Sequence, residues 1–153
     1  MIITLSGDVT HCGAGWLVLD VGGVGYKIRH KISDTNYQKG EKLKFFVHHH
    51  VREDTEELYG FETLEELELF ELLLSVSGVG PKMAMAVMSG AGPEKIQEAI
   101  VKGDSTLLTA ISGVGRKLAA KIIVELKNKI GGLGADYLPS ESNEVVEALL
   151  SLG

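Results

Sequence analysis

Ser77-Gly78-Val79-Gly80-Pro81-Lys82 and Ser112-Gly113-Val114-Gly115-Arg116-Lys117 follow one pattern, Ser-Gly-Val-Gly-x-Lys, repeated at an offset of 35 residues. Each copy lies between an apolar run (Leu72-Leu73-Leu74; Leu107-Leu108) and an Ala-rich run (Met83-Ala84-Met85-Ala86; Leu118-Ala119-Ala120). A self-match at fixed period marks a repeated structural unit, and this one reads as helix, tight glycine turn, helix. Glycine reaches backbone angles closed to other residues and keeps side chains away from whatever approaches. Pro81 suits the first position of a helix, where a missing N–H costs nothing. The helix start after such a turn presents unsatisfied N–H groups and the positive end of its dipole, here beside Lys82 or beside Arg116 and Lys117. That is anion chemistry, with phosphate the natural anion.

Two such sites on one small chain fit a repeating polyanion better than a single nucleotide. The usual nucleotide signatures fail. Gly78-Val79-Gly80 has Met83 where a dinucleotide fingerprint needs its third glycine, and it follows a helical run. The phosphate loop pattern G-x-x-x-x-G-K-[ST] does not occur.

Other residues invite chemistry less strongly. On a strand, His48 and His50 of His48-His49-His50 share one face and His49 takes the other, with no cysteine nearby, so no metal site is expected. Arg52-Glu53-Asp54-Thr55-Glu56-Glu57 reads as a charged hairpin tip. Gly92-Pro93-Glu94 resembles the Gly-Pro-Asp of repair glycosylases but follows the first hairpin too closely, and reads better as a helix start. No residue is read as catalytic, and no cofactor is expected.

Elements must position these groups. Residues 1–62 read as β: Met1 to Leu5, a hairpin from Trp16 to Ile28 turning at Gly22-Gly23, Lys42 to His50, and Glu57 to Phe61. About five short strands with glycine turns suit a small OB-like barrel. A third Gly-Val-Gly, residues 23–25, falls in strand periodicity and carries no function. Thr63-Leu64-Glu65-Glu66 is a capping box opening a helix with Leu67, Phe70, Leu73 and Leu74 on one face. A helix from Glu94 to Lys102 ends at Gly103, Asp104 or Ser105 caps the next, and a long helix from Arg116 stops at Gly131-Gly132. Residues 132–143 read as a flexible linker, and residues 144–153 as an amphipathic helix with Val145, Val146, Leu149 and Leu150 on one stripe. The expected class is α+β: barrel domain 1–62, helical domain 63–131, linker, and terminal helix.

The chain has 153 residues, 44% of them hydrophobic, enough for one core or two small ones. The lone Cys12 favours a reducing, intracellular setting. No basic leader precedes Met1-Ile2-Ile3-Thr4, and no apolar run has membrane-spanning length, so no membrane association is expected. The net charge is −6, unevenly spread. Residues 1–63 carry 7 basic and 9 acidic groups, residues 64–131 carry 8 of each, and residues 132–153 carry 0 and 4. The repeat region is the least acidic part. Local basic faces, and not overall sign, decide phosphate binding.

Val21-Gly22-Gly23-Val24-Gly25-Tyr26, Val51-Arg52-Glu53-Asp54, Leu58-Tyr59-Gly60-Phe61, Gly78-Val79-Gly80-Pro81-Lys82 and Ile123-Val124-Glu125-Leu126-Lys127 together resemble the RuvA family of bacterial Holliday-junction-binding proteins. The likeness runs from Met1 to about Lys129 and resumes over residues 144–153, which resemble the first helix of the family's third domain; on this reading that domain is truncated. The resemblance implies a flat homotetramer, or an octamer, holding a four-way DNA junction open. Gly78, Val79, Gly80 and Lys82 would grip one phosphate path. Gly113, Val114, Gly115, Arg116, Lys117 and Lys121 would grip another. Glu53 and Asp54 match the family's acidic pin near the junction centre. The ATP-driven motor RuvB would bind through the third domain, RuvC would cut the junction, and the setting would be the bacterial cytoplasm.

Two other classes compete. A helix-hairpin-helix repair glycosylase or nuclease would need an acid or lysine at its chemistry, and none stands out. A protein-interaction module would use the hairpins only for packing.

Overall fold

The structure, a computed structural model, describes residues 1–31 and 36–131. The linker and terminal helix read from residues 132–153 lie outside the described residues.

Five strands form a closed barrel in the order β1-β2-β3-β5-β4: β1 Thr4–Gly13, β2 Trp16–Val21, β3 Val24–Arg29, β4 Lys42–Val51 and β5 Glu56–Phe61. The OB-like barrel expected from the sequence is there. Neighbours pair antiparallel except β3 and β5, which close the barrel in parallel through Ile28↔Leu58 and Arg29↔Tyr59. Leu17, Leu19 and Ile28 alternate inward and join Val9, Phe45 and Val47 in the barrel core. Closure removes the unpaired edges that an open sheet of this size would expose.

β1 differs from the sequence expectation. It starts at Thr4 and runs through Ser6-Gly7-Asp8 to Gly13, with a register shift between Val9 and His11. Gly and Asp disfavour strands locally, but the ladder to β4 (Thr4↔Phe46 to Asp8↔Lys42) and to β2 overrides that preference.

Helices α1 Leu64–Ser75, α2 Pro81–Gly90, α3 Pro93–Lys102, α4 Thr106–Thr109 and α5 Arg116–Gly131 surround a second core. Leu67, Phe70 and Leu73 of α1 are buried in it, and Leu74 is half-buried. Tyr59 and Phe61 of β5 belong to this cluster, so the barrel's last strand is also part of the helical core.

The capping box at α1 is only half used. Thr63 Oγ1 accepts the Glu66 N–H at 3.2 Å. The Glu66 carboxylate does not return to the cap; it turns inward and accepts from Lys31 Nζ at 2.9 Å. A buried ammonium draws a carboxylate more strongly than an exposed amide does. At α4 the sequence left two caps open. Asp104 Oδ1 accepts the Thr106 N–H at 3.0 Å, while Ser105 makes no side-chain cap bond. That bond holds the Asp104 carboxyl below its ordinary range.

Candidate nucleic-acid interface

The two glycine turns are built alike. Val79 N–H donates to Val76 O at 3.0 Å, and Val114 N–H to Ile111 O at 3.1 Å. Gly78 and Gly113 take φ of +94° and +93°, which an L side chain rarely adopts. The following helices open identically, with Ala84 N–H donating to Gly80 O and Ala119 N–H to Gly115 O, both at 2.9 Å. The two turns therefore share their backbone hydrogen bonds and differ in the residues that flank them.

The valines turn inward. Val79 is 6% exposed and Val114 5%, both within the helical core. Burying the valine anchors each turn to the core and turns the flanking glycines outward. At the first turn the N–H groups of Gly78, Gly80, Lys82 and Met83 find no acceptor among the described residues. At the second the same holds for Gly113, Gly115, Arg116, Lys117 and Leu118. Pro81 costs the first turn one donor, whereas Arg116 keeps its N–H and adds a guanidinium. Lys82, Arg116, Lys117 and Lys121 are exposed, and none has a carboxylate partner among the described residues. Unspent amides beside unpaired cations, at the positive ends of two helices, make a surface suited to phosphate.

Gly92-Pro93-Glu94 is a helix start, as read: Ile96 N–H donates to Gly92 O at 3.1 Å and Pro93 opens α3.

The acidic tip is a tight turn in which Arg52 N–H donates to Thr55 O at 2.8 Å. Glu53 and Asp54 sit at its apex, exposed, with no ion pair among the described residues. This hairpin stands beside the first turn. His50, Arg52, Glu57 and Tyr59 from the barrel and Gly78, Gly80 and Lys82 from the turn line one open cleft of about 470 Å³. The first glycine turn and the residues that flank the acidic tip thus share one cleft.

Sequence reasoning passed over the barrel side of that cleft. His48 and His50 alternate onto one face of β4 and Arg52 follows directly after its end, a signal that could have flagged it. Opposite His50 in register stands Glu57, whose carboxylate accepts from the Tyr59 hydroxyl and lies 3.2 Å from an Arg29 nitrogen. The Tyr59 hydrogen bond, then Arg29, holds the Glu57 carboxyl below its usual value. Burial and the same bond push the Tyr59 phenol well up, so it stays a donor. The histidine run does not converge: His48 Nδ1 lies 3.0 Å from Glu71 Oε2, and His49 Nε2 lies 2.6 Å from Glu56 Oε1 on the other face. Among the described residues no three metal-ligating side chains gather, and no helix is long and apolar enough to cross a membrane.

A closed five-stranded barrel followed by helices with two equivalent amide-lined turns defines a tandem helix-hairpin-helix protein with an OB-like partner domain. Residues 70–128 match the SAM-like helix-hairpin-helix tandem family, and residues 1–60 match the RuvA N terminal domain. The chain belongs to the RuvA family. A protein of Prosthecochloris aestuarii is 45% identical over 89% of this chain and 74% of its own length. Proteins of Geobacter sulfurreducens and Rickettsia felis are 39% and 40% identical, over all of this chain and 83% and 82% of theirs. All three carry the name "Holliday junction branch migration complex subunit RuvA".

Proposed function

We propose that this chain is the junction-binding, non-catalytic subunit of a branch migration complex, holding four-way DNA open for the ATP-driven motor RuvB in recombination and repair. The observation that carries this is the pair of equivalent turns whose free amides and unpaired cations lie side by side. Backbone amides read phosphate without reading bases, so recognition follows the shape of the junction and not its sequence. In this reading residues 1–62 form a barrel unit with the acidic pin and residues 63–131 the DNA-gripping unit. Gly78, Val79, Gly80 and Lys82 take one phosphate path, the valine through its backbone alone. Gly113, Val114, Gly115, Arg116, Lys117 and Lys121 take the other. Glu53 and Asp54 repel converging phosphates and keep strands apart at the crossover.

A junction has four arms and one subunit has one pair of turns, so a closed ring of four copies matches the ligand's symmetry; eight copies would hold the junction from both sides. RuvC is the expected cutting partner, and the bacterial cytoplasm the setting. The test compares four-way and linear duplex DNA of equal length in gel-shift titrations while light scattering measures mass. Strong preference for the four-way junction by a tetramer or octamer is expected. Equal affinity for linear duplex, or a one-subunit mass with no shift on branched DNA, overturns the reading.

A further inference from the structure

The first turn has a companion on the barrel. Across the cleft from Gly78, Gly80 and Lys82 stand His50, near the end of β4, and Arg52, just beyond it. Three cationic or ionisable side chains from two separate elements thus share a space with unspent amides. The one carboxylate there, Glu57, is already engaged by Tyr59 and Arg29.

We propose that His50 is a phosphate ligand of the first turn: a backbone phosphate in this cleft is held by the His50 imidazolium together with Arg52 and Lys82, so that DNA binding takes up a proton. This rests on the reading of the glycine turns given above.

The charges around His50 set the sign. From its own strand His48, and from the turn just beyond it Arg52, oppose protonation, and His48 is itself engaged by Glu71 of α1. From β5, Glu57 favours it, and the Tyr59 ring stands 6.4 Å away. Lys82 of α2 faces the same cleft. Burial is the largest influence, and with Arg52 and His48 it holds the imidazole below its ordinary 6.5. The free protein therefore carries His50 neutral at neutral pH. A phosphate anion within hydrogen-bond reach reverses that balance, because opposite charge favours the charged form. The bound state then holds more protons than the free state, and affinity must rise as pH falls.

The test measures four-way junction affinity by fluorescence anisotropy at constant ionic strength, from about pH 8 to about pH 6, the range in which histidine titrates. The unaltered chain and His50→Gln are compared, with circular dichroism confirming that the variant folds. The unaltered chain should bind roughly three- to tenfold tighter at the acid end, and the variant should change less than about twofold. Titration calorimetry in two buffers of different ionisation enthalpy, on the unaltered chain alone, should show net proton uptake. An undiminished pH dependence in His50→Gln, or no proton uptake by the unaltered chain, overturns the proposal. Charge reversal at Lys82 and Lys117 separates the two readings. If it weakens binding while His50→Gln changes nothing, only the His50 assignment falls. If it leaves affinity untouched, the reading of the turns falls and His50 with it.

Discussion

Gly78 lies against Leu118: a carbon at the Cβ position of Gly78 would sit 3.6 Å from Leu118 Cδ1. The converse contact exists too, since a Cβ on Gly113 would lie 3.9 Å from Met83 Cε. Gly113 is the repeat partner of Gly78, and Leu118 of Met83, each 35 residues on. Each turn therefore packs on the third residue of the other motif's helix, and the pair is related by an approximate two-fold axis. These reciprocal approaches set the starts of α2 and α5 beside each other.

Gly78→Ala and Gly113→Ala should therefore behave as equivalents. Neither lacks space for a methyl, so the cost comes from the positive φ, about 1–2 kcal/mol each. Urea denaturation of the two variants checks this. A loss at one position with none at the other would contradict the equivalence of the turns.

Lys82→Glu combined with Lys117→Glu should leave stability nearly unchanged, because both side chains are exposed and unpaired among the described residues. Junction affinity should fall by at least about tenfold, and the salt dependence of binding should become shallower by roughly 0.9 for each phosphate that is no longer neutralised. Gel-shift titrations at several salt concentrations measure both quantities. Undiminished affinity would remove the turns from the DNA path.

Glu53→Gln with Asp54→Asn should bind a four-way junction as tightly as the unaltered chain or more tightly. The two carboxylates sit at an exposed apex closed by the Arg52–Thr55 backbone bond, so their loss leaves the hairpin standing. Removing like charge near converging phosphates lowers repulsion. Weaker binding by the double variant would exclude the pin role.

Local signals survived into the structure where they were self-sufficient. The 35-residue repeat needed only pattern matching, and the β2–β3 hairpin needed only alternation and Gly22-Gly23. The Tyr59 and Phe61 side chains were harder. A strand pattern does not reveal that β5 serves two cores, because that depends on where α1 packs. The His50–Lys82 cleft was invisible for the same reason, its walls lying 32 residues apart in the chain and meeting only when the barrel packs against the helical part. Glu66 was misassigned because the capping pattern is local, while Lys31, 35 residues upstream, is the stronger partner. Such long-range competition is the step that a linear pattern leaves open.

Lys31 and Glu66 form a buried ion pair between the barrel part and α1. Their side chains are 10% and 12% exposed and joined at 2.9 Å, tying the end of the barrel strand region to the first turn of α1. Glu66 Oε2 has no hydrogen-bond partner among the described residues, so the carboxylate leans on Lys31 for compensation. Lys31→Met should remove that compensation and cost about 3–5 kcal/mol near neutral pH, because it strands a buried charge. Adding Glu66→Leu to Lys31→Met should restore most of the stability, since an apolar pair of similar volume carries no desolvation cost. Chemical denaturation of the single and double variants near neutral pH completes the cycle. A double variant as unstable as Lys31→Met alone would mean that Lys31 contributes through packing and its other contacts, and that charge compensation is not what joins α1 to the barrel.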